Sequence, residues 1–78
     1  MARQVQVLGT GCTACRRLAA MVEEAADHHG VDLRLEKVGD ITRILSYDVA
    51  STPALVVDGE VKCVGRVPSM NELLALLR

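Results

Sequence analysis

Aromatic side chains are almost missing: Tyr47 stands alone, with no Trp and no Phe among 78 residues. The core must therefore be built from Val, Leu, Ile, Ala and Met, and no set of rings exists on which nucleobases could stack. An excess of one charge is missing too. Nine basic residues are scattered among ten acidic ones, for a net charge of −1, so no basic stripe is available to neutralise phosphates and nucleic acid is excluded as the expected partner. No apolar run approaches the ~20 residues of a bilayer-spanning helix, so no membrane contact is expected. The N-terminus, Met1-Ala2-Arg3-Gln4, leads into alternation rather than a secretory apolar segment, which points to a cytoplasmic protein. There is no internal repeat, low-complexity stretch or linker. What remains, 50% hydrophobic and 24% charged, is a folded composition, read as one domain over residues 1–78 and expected to be a monomer. Its stability should be modest, on the order of 5 kcal/mol.

Cysteine is present in an odd number, three, which argues against a stapled secreted scaffold. In a reducing compartment, paired cysteines more often do chemistry or bind metal. Their setting follows from the local periodicities. Val5 and Val7 alternate with Gln4 and Gln6 and end at Leu8, predicting a strand over residues 3–8. Gly9-Thr10-Gly11 reads as a turn. From Cys12 the period becomes helical, with Cys15, Leu18, Val22, Ala25 and His29 on one stripe, Ala19 and Ala26 beside it, and Gly30 placed to end the helix. Val31, Leu33 and Leu35 alternate in a second strand. Asp40 can cap a short helix carrying Ile41, Ile44 and Leu45 on one face. Ala54 to Val57 and Glu60 to about Val64 form strands joined by Asp58-Gly59, a strong hairpin signal. Ser69 and Glu72 form a capping box that opens a last helix with Met70, Leu73, Leu74 and Leu77 inward. The order β-α-β-α-β-β-α implies an α/β three-layer domain around a four-stranded mixed sheet, the first two strands parallel and the last two an antiparallel hairpin.

Cys12-Thr13-Ala14-Cys15 therefore sits where a strand hands over to a helix. A helix start presents unpaired N–H groups and about half a positive charge, which favours a thiolate. Cys12, at the very start, is predicted to be exposed and to attack disulfides; Cys15, one turn in and on the apolar stripe, is predicted to resolve the product by attacking Cys12. The i, i+3 spacing permits a Cys12–Cys15 disulfide that leaves Cys63 free. A competing reading makes the same pair half of a soft-metal site. His28 and His29 lie roughly 20 Å away at the far helix end, at ~1.5 Å per residue, and are read as helix-end residues, so no metal-ligating set is assigned. Cys63, placed on the same strand face as Val61, reads as a buried structural thiol. Arg16 and Arg17 read as a solvated helix face that could also assist the thiolate or meet an acidic partner. Thr52-Pro53 is anomalous, because a proline opening a central strand removes a ladder donor. A cis bond would account for it, as would an ordinary trans proline at a strand start.

Taken together, strand, Gly-Thr-Gly-Cys12-Thr-Ala-Cys15, helix, then Thr52-Pro53-Ala-Leu-Val-Val-Asp-Gly-Glu and Val64-Gly65-Arg66-Val67 resemble the thioredoxin-like superfamily, and within it the small redox-active disulfide proteins of glutaredoxin size. The resemblance implies a dithiol–disulfide oxidoreductase without an organic cofactor, with a protein disulfide as substrate and a separate reductase as electron donor. It implies that Pro53 is cis and packs near the disulfide. It also implies that Thr52 offers backbone hydrogen bonds to an extended substrate and that Gly65 leaves room for it. Gly11 stands where thioredoxins carry Trp, and Thr13-Ala14 where glutaredoxins carry a Pro-Tyr type dipeptide. The chain also resembles heavy-metal-associated domains, which place Cys-x-x-Cys before a first helix, but those end in a strand where this chain ends in a capped helix.

Overall fold

The computed structural model describes residues 2–78. Seven elements follow one another: β1 (Arg3–Leu8), α1 (Thr13–His29), β2 (Leu33–Val38), α2 (Ile41–Ser46), β3 (Ala54–Val57), β4 (Glu60–Val64) and α3 (Met70–Leu77). The sheet runs in the order β2-β1-β3-β4. β1 and β2 are parallel, as a helical crossover requires, and β3 and β4 are an antiparallel hairpin. β3 also runs antiparallel to β1, with Val7 opposite Leu55. Parallel and antiparallel pairs together make the sheet mixed.

Strand alternation sends Val5, Val7, Leu55, Val57 and Cys63 to one face, where Leu18, Val22 and Ala25 of α1 and Leu73 and Leu77 of α3 cover them. Leu8, Val38, Ala54 and Val56 point to the other face, against Ile44 of α2. Each fully buried Leu or Val here contributes about 1.5–3 kcal/mol. The local signals for the element ends hold. Asp58 and Gly59 have φ of 50° and 85°, the left-handed pair that a two-residue primed turn needs. Gly30 ends α1 with φ 69°, a conformation that costs glycine nothing. The Asp40 carboxylate accepts from the Thr42 N–H at 2.9 Å and caps α2. Ser69 Oγ accepts from the Glu72 N–H at 3.2 Å. The second half of that capping box is absent, because the Glu72 carboxylate is held by the Arg66 guanidinium instead.

Four sequence expectations are corrected. The α1 stripe stops at Ala25, and His29 is exposed in the last turn. The second strand begins at Leu33 rather than Val31 and reaches Val38, whose side chain is the one buried on its far face. On α2 only Ile44 is buried; Ile41 and Leu45 are 61% and 64% exposed, since a helix of six residues presents one side chain to the sheet. Val61 does not share a face with Cys63. A bulge between the Leu55–Cys63 and Val56–Val61 pairs leaves Lys62 extra, which breaks the period of two and turns Val61 to the α2 side. Cys63 is buried as expected.

The α2 finding carries a stability prediction. Ile44→Ala should lower unfolding free energy by about 2–4 kcal/mol, whereas Ile41→Ser or Leu45→Ser should change it by less than about 0.5 kcal/mol. Urea unfolding of the three variants checks this, and comparable losses at all three positions would contradict it.

Candidate active site

β1 ends at Leu8, and the backbone then turns through Gly9, Thr10 and Gly11 into α1. Gly11 has φ 91°, the left-handed region that favours glycine. This brings Cys12 in as the N-cap residue in extended conformation. Its sulfur takes the place usually held by a Ser or Asp oxygen, accepting from the Cys15 N–H at 3.4 Å. Cys15, on the buried stripe, is 5% exposed, and its Sγ lies 2.7 Å from Cys12 Sγ. All three cysteines are free thiols, with Cys12 exposed.

Environment drives the two thiols apart. Cys12 is held below the ordinary thiol range chiefly by the hydrogen bond from the Cys15 side chain, then by the Cys15 backbone N–H and further backbone donors of the helix start. Cys15 is raised, first by burial and then by its position as donor to Cys12 and beside that charge. Sequence reasoning assigned the low Cys12 thiol to the helix start, and its largest single cause is instead the partner thiol; the high Cys15 thiol follows first from burial, as its place on the apolar stripe predicts. Because the thiolate is the reactive form, a short iodoacetamide pulse at about pH 7 should label Cys12 first and Cys15 only at higher pH. Peptide mapping reads the order, and faster labelling of Cys15 would overturn it.

The loop before β3 meets this pair through Gly9. A Cβ built on Gly9 would overlap Cys15 Sγ on one side and come within 3.9 Å of Thr52 Cβ on the other. Gly9 thus leaves free the space that Cys15 Sγ occupies, close to Thr52. The Thr52–Pro53 peptide bond is cis. Thr52 is exposed and Pro53 is buried. The Pro53 carbonyl accepts from the Gly65 N–H at 2.7 Å. Gly65 has φ 76°, and a side chain there would come 2.5 Å from Ser51 Oγ. Gly65 is therefore tied to the Thr52–Pro53 loop, and the glycine serves the packing of that loop directly.

His28 and His29 lie at the opposite end of α1. Among the described residues no group of three or more His, Cys, Asp or Glu is placed to hold a metal ion. Cys63 is packed in the core, its Sγ donating to the Arg66 carbonyl at 3.6 Å. Sequence reasoning passed over Gly9 as a turn residue. The signal was weak, since its φ is not in the left-handed region and its need is for space alone. Among the described residues no helix is long and apolar enough to cross a membrane.

Comparison with known proteins agrees with this geometry. Residues 3–78 match the family described as Thioredoxin domain. A thioredoxin of Methanothermobacter thermautotrophicus (strain Delta H) is 38% identical over 74 residues, covering 95% of this chain and 96% of the relative. Among solved structures, a thioredoxin-2 described as a component of the malaria parasite protein secretion machinery superposes with TM-score 0.73 at 19% identity, over 97% of this chain and 81% of its own. The oxidised thioredoxin of Plasmodium falciparum gives TM-score 0.60 at 17% identity, over 96% and 77%.

Proposed function

Since the chain belongs to the thioredoxin family, we propose that its dithiol–disulfide oxidoreductase chemistry runs through Cys12 and Cys15 and acts on disulfides in proteins. The observation that carries this reading is the unequal pair itself: an exposed thiol held low, 2.7 Å from a buried thiol held high. The Cys12 thiolate attacks one sulfur of the substrate disulfide, forming a mixed disulfide and releasing the other sulfur as a thiolate that takes a proton. Cys15 gives up its proton and attacks Cys12 Sγ. The Cys12–Cys15 disulfide forms, the second substrate thiol leaves, and two electrons have moved from protein to substrate. A separate reductase returns them, with no organic cofactor of the chain's own.

Thr52, Pro53 and Gly65 are proposed as the substrate-binding loop, with the exposed Thr52 backbone facing an extended segment. One domain over residues 1–78, a monomer in the cytoplasm, completes the reading. A tetrahedral zinc site on the same pair would need two further ligands, and no group of three or more His, Cys, Asp or Glu is gathered among the described residues.

The test follows electrons and sulfur together. The fully reduced protein is mixed with a disulfide-bonded test protein and the products are mapped by mass. Two new thiols in the substrate per Cys12–Cys15 disulfide, with Cys63 still alkylatable, are the expected result. A main product linking Cys63 to either partner would overturn the assignment.

A further inference from the structure

A cavity of about 250 Å³ lies beside Cys15, between α1 and the strands β1 and β2. Its space comes from small residues, Gly9, Gly11, Ala19 and Ala20. Three charged residues line it: Arg16, Lys37 and Glu23. Lys37 Nζ and Glu23 Oε1 are 3.8 Å apart and largely offset one another. Arg16 has no carboxylate partner among the described residues, so the cavity carries one positive charge in excess.

The placement of that arginine runs against the helix. The first turn of α1 holds no acidic residue, and Arg16 and Arg17 follow directly. A helix start carries partial positive charge, so cations there are disfavoured and acids preferred. Among the described residues Arg3, Lys37, Arg43, Lys62 and Arg66 are ion-paired, while Arg16, Arg17, Arg34 and Arg78 are not, and of these four only Arg16 lines the cavity. An unpaired cation set against local preference, on the wall of a cavity that the resolving thiol Cys15 also lines, marks a site kept for something other than stability. Lowering the Cys12 thiol does not account for it, because the Cys15 hydrogen bonds do that.

We propose that this cavity is a carboxylate subsite, in which Arg16 receives an acid group carried next to the disulfide being reduced. The proposal rests on the oxidoreductase reading above and names its substrate class. Cys12 itself does not line the cavity, but its chain neighbour Gly11 does, so the cavity opens next to the attacking thiol, where an acid group carried by the substrate would meet Arg16. The acid group can belong to an acidic residue beside the target cysteine or to a small disulfide; the recognising chemistry is the same.

The test uses the reduced full-length chain and single-turnover oxidation by three disulfides of similar size: 3,3′-dithiodipropionate (anionic), bis(2-hydroxyethyl) disulfide (neutral) and cystamine (cationic). The anionic disulfide should react fastest, and less so as salt is raised. Arg16→Ala should slow the anionic disulfide about five- to tenfold, through half-saturation rather than limiting rate, and change the neutral one by less than about twofold. Ala20→Leu, on the exposed side of the helix, should fill the cavity and remove the same preference while leaving the neutral rate. Two peptide mixed disulfides, with Asp or Asn beside the cysteine, distinguish the sources: preference for Asp assigns the subsite to peptides, and its absence beside a retained small-anion preference assigns it to small disulfides. A charge-blind wild type, or an equal loss on all three disulfides in Arg16→Ala, would overturn the subsite while leaving the reductase intact. Failure of the wild type to reduce even the neutral disulfide would overturn the reductase reading and this proposal with it.

Discussion

Cys12→Ser is expected to abolish disulfide reduction, with a loss of at least about a thousandfold, because a serine hydroxyl supplies no comparable nucleophile at neutral pH. Cys15→Ser should behave differently. Cys12 stays exposed at the helix start, so the first attack proceeds and the chain accumulates as a mixed disulfide with its substrate. No other thiol takes over as resolving group, since Cys63 is packed with Leu55 and Leu73 in the core. The first step should also slow in Cys15→Ser. The Cys15 thiol is the largest cause of the lowered Cys12 value, and a hydroxyl on the shorter C–O bond draws the donor back from Cys12 Sγ. Non-reducing electrophoresis with mass mapping separates the two outcomes: a covalent adduct for Cys15→Ser and none for Cys12→Ser. An adduct formed through Cys15 in the Cys12→Ser variant would reverse the assigned roles.

Features that need one backbone conformation were legible in the sequence. Asp58-Gly59, Gly30 and the Asp40 and Ser69 caps are read locally, because each is a residue type required by a φ value or by an orphan N–H. The cysteine pair was legible for the same reason: the spacing and the helix start are both local. What depends on pairing across the sheet was not. The antiparallel direction of β3 against β1 is set by where the chain returns after α2, and strand alternation is blind to direction. The bulge at Lys62 inserts one residue without any Gly or Pro to announce it, so Val61 was assigned to the wrong face. Ile41 and Leu45 satisfied a helical stripe, but α2 ends at Ser46 and has one buried side chain. Glu72 fitted the capping box, and a cation six residues earlier, Arg66, took its carboxylate instead. In each case the local signal was real and a tertiary partner decided the outcome.

The site shows the same division. Cys12 and Cys15 could be ranked by position, but the largest cause of the lowered Cys12 thiol is the contact between them, which only the folded turn creates. Gly9 belongs to that contact and carries the other large expected effect. Its backbone donates to the Val38 carbonyl at 2.9 Å and extends the sheet by one residue. Its φ lies outside the left-handed region, so alanine adds no backbone strain there and acts through volume alone. The new methyl would overlap Cys15 Sγ, come 2.9 Å from Cys15 Cβ and meet Thr52 Cβ at 3.9 Å on the far side. Cys15 sits on the buried face of α1 and has little room to withdraw, so its sulfur must turn away from Cys12 or the first turn of α1 must move. Overpacking of this kind costs about 1–3 kcal/mol, or roughly 4–8 °C in Tm per kcal/mol for a domain of this size. The chemical consequence is more specific. Once Cys15 Sγ leaves, Cys12 loses its main hydrogen bond, and its thiol rises toward the ordinary range. The pH at which Cys12 alkylation is half-maximal should therefore move up in Gly9→Ala, and closure of the Cys12–Cys15 disulfide should slow. Gly11→Ala provides the contrast, with nothing within 4 Å of the added Cβ but a φ of 91°: it strains the turn and lowers Tm without crowding the sulfur. If Gly9→Ala unfolds earlier yet keeps the wild-type pH profile, the Cys15 contact does not hold the Cys12 thiolate. If Gly9→Ala moves the profile and Gly11→Ala does not, the space left by one missing methyl is what keeps the two thiols unequal.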